Sequence, residues 1–172
     1  MPQYSIIIPA FNESKNIAML LCRCEEVANL YDIEIILIDN GSDDNTAQMK
    51  NDMLNRYAFV RWTHLEKNVG YGNGIMHGLK LAYGEYIGYT HADLQTDPRD
   101  FIAAIQKVES SSNKRVFVKG KRIHRQPFAK SFSLGFEKIA GTILGVPFYE
   151  INAQPTLFHS DLLQHLADSP MH

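Results

Sequence analysis

Ser5-Ile6-Ile7-Ile8-Pro9 and Ile33-Glu34-Ile35-Ile36-Leu37-Ile38-Asp39 are the two stretches that decide the fold. Both are short and rich in β-branched residues, and neither alternates cleanly between apolar and polar. That pattern predicts strands buried on both faces, as in a parallel sheet covered by helices. Between them, Ile17, Leu20, Leu21, Cys24, Val27 and Ala28 recur at helical spacing, with Asn12 and Ser14 as candidate caps.

The same alternation continues along the chain. Gly41-Ser42-Asp43-Asp44-Asn45-Thr46 supplies turn chemistry and then a cap, and a helix is predicted to about Tyr57. A weaker strand is predicted over Phe59 to Thr63, a helix from about Gly72 to Ala82, and a fourth strand over Tyr86 to Thr90. Asp97-Pro98 marks a helix start, with proline in the first turn, and that helix is predicted to end near Ser110. Val116 to Val118 reads as a fifth strand, Phe128 to Leu144 as a helix, and a last helix starts near Ser160. Strands alternating with helices imply an α/β fold of Rossmann-like type, a mostly parallel sheet flanked by helices.

Composition narrows the function. A chain of 172 residues, 45% hydrophobic, is the size of one domain with one sizeable core. A net charge of −2 without a dense basic run argues against nucleic acid as a partner. No signal-peptide pattern precedes Tyr4, and no run approaches the roughly 20 apolar residues that cross a bilayer, so a cytoplasmic location is expected. Cys22 and Cys24 point to opposite sides of a helix and are expected to remain thiols.

Ligands of open parallel sheets bind beyond the carboxyl ends of the strands, and the unusual residues of this sequence collect there. His91, Asp93 and Gln95 would share one side of an extended segment and could face a single divalent cation bridging a diphosphate. They also read as a polar loop with a capping Asp ahead of Pro98. Asp39 suits a base or ribose but also suits a turn, and Phe11 suits stacking on a base but also suits a core. Gly70-Tyr71-Gly72-Asn73-Gly74 is no dinucleotide fingerprint, because the sixth residue from Gly70 is Ile75 and from Gly72 is His77. Its glycines are expected to let the backbone pass close to a sugar or diphosphate at a helix start. Lys121, Arg122, Arg125 and Lys130 concentrate positive charge after the fifth strand, where an anionic acceptor could dock.

Taken together, Ser5 to Glu13, Leu37 to Thr46 and Ala92-Asp93-Leu94-Gln95-Thr96-Asp97-Pro98 resemble, in order and spacing, the inverting family-two glycosyltransferases. Within them, the resemblance is to dolichol-phosphate mannose synthases and bacterial polyprenyl-phosphate sugar transferases. It implies an A-type glycosyltransferase fold and transfer of a sugar, with inversion, from a UDP- or GDP-linked donor to a polyprenyl phosphate. Pro9, Ala10, Phe11, Glu13, Asp39, Gly70, Ala92 and Asp93 would bind the donor, and Asp93, Gln95 and His91 would hold Mg²⁺ or Mn²⁺. Asp93 and Arg122 would be catalytic, with Arg122, Lys130 and Ser131 meeting the acceptor phosphate. Peripheral contact with the inner face of a membrane is compatible with this reading.

Two departures stand out. The family's Asp-X-Asp reads His91-Ala92-Asp93, and Ile151-Asn152-Ala153-Gln154-Pro155 replaces the usual Ser-Gly-Phe type segment. Members of the family also continue past the point matching His172, so a core truncated at its C-terminus is expected. The competing functions are a catalytically inactive sugar-nucleotide-binding module and transfer to a saccharide hydroxyl during cell-surface polysaccharide synthesis. The second would need a carboxylate base such as Glu150 or Asp161. A nucleotidyltransferase fits poorly, since Phe11-Asn12-Glu13 is neither glycine-rich nor basic.

Overall fold

The computed structural model describes residues 1–120 and 154–163. The predicted helix over Phe128 to Leu144, and the predicted acceptor residues Arg122, Lys130 and Ser131, lie outside the described residues.

A six-stranded sheet forms the body, with β1 at Tyr4–Ala10, β2 at Ile33–Asp39, β3 at Val60–His64, β4 at Tyr86–Tyr89, β5 at Phe117–Lys119 and β6 at Thr156–His159. Its spatial order is β3-β2-β1-β4-β6-β5. The pairs β1 with β2, β1 with β4 and β2 with β3 are parallel, whereas β6 runs antiparallel to both β4 and β5. The mostly parallel α/β expectation therefore holds, with one correction. Residues 156–159, for which the sequence predicts no element, form a strand inserted between the fourth and fifth. Four residues are too few to show a period, which is why this strand was missed.

Every residue of β1 and β2 is buried. Ile6, Ile8, Ile35 and Leu37 join one core with residues of α1 (Ile17–Ala28), α2 (Lys50–Arg56) and α4 (Asp100–Glu109); Ile7, Ile36 and Ile38 join a second core on the other face. Successive side chains of a strand point to opposite faces, so a run without alternation is what two buried faces require. Leu79, Leu81 and Ala82 pack on that second core from α3 (Tyr71–Leu79) and the turn after it. α3 lies close against β1 because Gly78 has no side chain: a Cβ there would overlap Ile7.

The candidate caps of α1 are a second correction. Asn16 occupies the cap position without a capping side-chain hydrogen bond, its amide donating instead to Glu13 Oε2 at 2.6 Å, while Asn12 Oδ1 and the Ser14 N–H bond to the loop after β2. Cys22 is exposed and Cys24 buried, as their spacing implied. Burial, with the charge of Asp97 adding to it, pushes the Cys24 thiol up to about 12.

A buried polar network ties the amino ends of the strands together. The Ser5 hydroxyl donates to Glu34 Oε1 at 2.5 Å and the Tyr83 N–H donates to the same oxygen at 3.1 Å. Arg61 Nη1 donates to Glu34 Oε2 at 2.7 Å and to the Leu81 carbonyl at 2.8 Å. The Gly84 N–H donates to the Ser5 hydroxyl at 2.8 Å. One carboxylate thus anchors β1, β3 and the turn leading into β4.

Candidate active site

At the opposite, carboxyl ends of the strands lies a cavity of about 260 Å³ lined by Pro9, Ala10, Phe11, Glu13, Asn40, Asn68, Gly70, Tyr71, His91, Ala92 and Asp93. These residues come from the ends of β1, β2 and β4 and from the loop before α3.

Side chains hold the cavity's loops in place. Four hydrogen bonds join the loop after β1 to the loop after β2: Asn12 N–H to Ser42 Oγ at 3.0 Å, Glu13 N–H to Thr46 Oγ1 at 3.1 Å, Ser14 N–H to Asp44 Oδ2 at 3.0 Å, and Asp43 N–H to Asn12 Oδ1 at 2.8 Å. The last is made from a left-handed backbone at Asn12, φ 58°, a conformation that asparagine tolerates better than most residues. Gly41 also has positive φ and passes so close to Lys67 that no side chain would fit. Partial desolvation raises the Asp44 carboxyl, but hydrogen bonds from Thr46 and Ser14 outweigh it and hold the group well below the ordinary carboxylate range. The motif read as a turn and helix cap is chiefly a clamp between two loops.

Asn40 is a second clamp. It is buried, accepts from the Val69 N–H at 3.1 Å, and donates to Asn68 Oδ1 and the Gly70 carbonyl, each at 3.2 Å. Asn40, Asn68 and Tyr71 were not singled out from sequence. Their position beside Asp39 and Gly70 was the available signal.

Of the expected donor residues, Pro9, Ala10, Phe11, Glu13, Gly70, Ala92 and Asp93 meet at this cavity. Asp39 does not line it. Its side chain is fully buried beneath, accepting from the Ser42 N–H at 3.1 Å and contacting His64 Nδ1 at 2.9 Å. Nothing stands within 4 Å of a Cβ built on Gly70 or Gly72, so both are open, whereas Gly74 packs against Pro9 and Asn40.

The extended segment expected to align His91, Asp93 and Gln95 does not form. Leu94 adopts a left-handed conformation, φ 60°, and the Gln95 N–H folds back to Asp93 Oδ1 at 3.0 Å. Gln95 is exposed and lies off the cavity. His91 stacks on Tyr71, ring centroids 4.1 Å apart and planes 20° from parallel. Among the described residues no three His, Cys, Asp or Glu side chains gather as metal ligands. What fits a hard divalent cation here is the Asp93 carboxylate completed by substrate phosphates, a usual arrangement for Mg²⁺.

The Tyr71 hydroxyl accepts from Gln154 Nε2 at 2.6 Å. Burial pushes the Tyr71 phenol far above its ordinary value; the Gln154 N–H opposes this, and nearby Tyr89 and Asp93 add to it. Tyr71 stays neutral at physiological pH.

Comparison with known proteins finds relatives over most of this chain. A dolichyl-phosphate beta-glucosyltransferase of Trichomonas vaginalis is 32% identical over 161 residues, covering 83% of this chain and 47% of that protein. A dolichol-phosphate mannosyltransferase of Pyrococcus furiosus is 28% identical over 127 residues, covering 72% of this chain and 36% of the relative. A mannosyltransferase of Pyrobaculum calidifontis, solved with GDP-mannose and Mn²⁺, superposes with a TM-score of 0.68 at 20% identity, covering 98% of this chain and 48% of that one. The glucosyl-3-phosphoglycerate synthase of Mycobacterium tuberculosis, solved with UDP, gives a TM-score of 0.71 at 18% identity over 94% of this chain and 58% of that one. The fold is therefore the A-type glycosyltransferase fold, and the chain spans about half the length, or less, of these relatives. With strand-end motifs converging on one cavity and the family profile running from residue 5 to residue 154, the chain belongs to glycosyl transferase family 2.

Proposed function

We propose that this chain is the donor-binding catalytic core of a glycosyltransferase that moves a sugar from a nucleoside-diphosphate sugar to a polyprenyl phosphate with inversion. The observation that carries this is the convergence of Phe11, Glu13 and Asp93, from two strand ends, on one cavity. The named activities of the dolichol-phosphate relatives support the choice of acceptor. Phe11, 39% exposed at the cavity, would stack on the base, with Pro9 and Ala10 beneath it. Asp39, which supports the loop after β2 from below, would act on the base through that loop.

A divalent cation held by Asp93 would supply Lewis-acid neutralisation of the leaving diphosphate. The chain's own contribution is geometric. The clamps at Asn40 and Ser42 to Thr46 fix the loops before substrate arrives, so the donor meets an organised site. A polyprenyl phosphate oxygen is already ionised at neutral pH, and no general base is required. Arg122, with Lys130 and Ser131, would receive the acceptor phosphate. The reaction would take place at the cytoplasmic face of a membrane; no helix among the described residues is long and apolar enough to cross one.

Isothermal titration with UDP and GDP, with and without Mn²⁺, tests the donor site. One nucleotide should bind, more tightly with Mn²⁺, and the corresponding nucleotide sugar should be consumed when a polyprenyl phosphate is added. No nucleotide binding would overturn the proposal, and binding without transfer by the full-length protein would favour an inactive module. Arg122→Ala should raise the KM for the lipid phosphate about tenfold, the cost of one lost charge-assisted contact. Its donor affinity should stay within about twofold of the original, and a selective loss of donor affinity would remove Arg122 from the acceptor role.

A further inference from the structure

Tyr71 joins three separate parts of the chain. It is the first residue of α3, its ring stacks on His91 just after β4, and its hydroxyl is tied to Gln154 just before β6. Tyr71 and His91 both line the cavity, next to Asp93. The Gln154 amide oxygen is buried without a partner among the described residues, so this corner holds an unmet acceptor beside the Tyr71 hydroxyl.

The order of strands gives the cavity a direction. Asn40 lies on the β2 side, Phe11 and Glu13 above β1, and His91 and Asp93 on the β4 side, with β6 beyond. If the base stacks at Phe11 and the diphosphate lies at Asp93, the sugar is carried toward β4 and β6. The Tyr71–His91 stack stands there. A flat aromatic and imidazole wall suits the C–H face of a pyranose, and adjoining amide and hydroxyl groups suit its hydroxyls.

We propose that Tyr71 is a positioning residue for the donor's sugar: it holds His91 flat against its own ring, is itself fixed by Gln154, and thereby shapes the subsite that distinguishes a nucleotide sugar from the bare nucleotide. This rests on the donor-binding reading above.

The test is a comparison of affinities. UDP, GDP, UDP-glucose and GDP-mannose are titrated against the unaltered chain, Tyr71→Phe and Tyr71→Ala. Stacked aromatic pairs contribute about 0.5–1.5 kcal/mol beyond area burial, a factor of roughly 2 to 12. Tyr71→Ala should therefore weaken the preferred nucleotide sugar by about tenfold while its parent nucleotide changes by less than about twofold. Tyr71→Phe keeps the stack but loses the tie to Gln154, and should lose about threefold for the nucleotide sugar alone; it also serves if the alanine variant does not fold. Equal losses for sugar-bearing and bare nucleotides, or no loss for either, would overturn the proposal. If the unaltered chain binds none of the four, the donor-binding reading fails and this proposal fails with it.

Discussion

Asp93→Asn is expected to lower sugar transfer by about two to three orders of magnitude, the usual cost of removing one pre-placed electrostatic stabiliser from a reacting centre. Asparagine is nearly isosteric and keeps an Oδ1 to accept the Gln95 N–H at 3.0 Å, so the local turn survives. The change then removes charge and little else. Asp93 carries the effect because the family's other carboxylate position is His91, whose ring is held against Tyr71. The check is kcat at saturating donor, alongside the dependence of nucleotide affinity on Mn²⁺. Activity within about threefold of the original protein, or an undiminished response to Mn²⁺, would remove Asp93 from the proposed centre.

The second large effect concerns stability rather than chemistry. Glu34→Ala leaves the Ser5 hydroxyl, the Tyr83 N–H and the Arg61 guanidinium without their shared acceptor. Breaking a buried ion pair from one side costs about 3–5 kcal/mol, because the remaining charge stays desolvated. Domains of ordinary stability have about 5–15 kcal/mol in total, so the loss would be conspicuous in a urea unfolding curve. Arg61 is 40% exposed at its side chain, which places the expected loss at the lower end of that range. Adding Arg61→Met should recover part of it. A loss under about 1 kcal/mol would show that the network contributes little. Nucleotide affinity in the folded protein should be unchanged, because this network and the cavity lie at opposite ends of the sheet.

Much of this could be read from the residues. β1 and β2 announced themselves because strands covered on both faces need unbroken apolar runs, and the helices because one-sided burial imposes a 3.6-residue period. That Phe11, Glu13, Ala92 and Asp93 meet at one cavity was legible because the loops after the carboxyl ends of parallel strands surround one crevice. What sequence could not supply was a long-range pairing. The Ser42 to Thr46 clamp acts on residues about 30 positions earlier, and Tyr71 meets Gln154 across 83 positions. The error at His91, Asp93 and Gln95 has a local cause: one left-handed residue, Leu94, cancels the two-residue alternation on which their alignment depended.

The position of β6 constrains how the chain assembles. β4 and β5 are finished by residue 119, but neither touches the other; both wait for residues 156–159 to be slotted between them. During synthesis from the ribosome, β3-β2-β1-β4 can close early while β5 has no strand to pair with among the described residues. Until Thr156 to His159 arrives, β4 presents a bare hydrogen-bonding edge, the kind of surface on which chains aggregate or pair with the wrong neighbour. Among the described strands, the last to be made is therefore the one that covers the open edge of the nascent sheet.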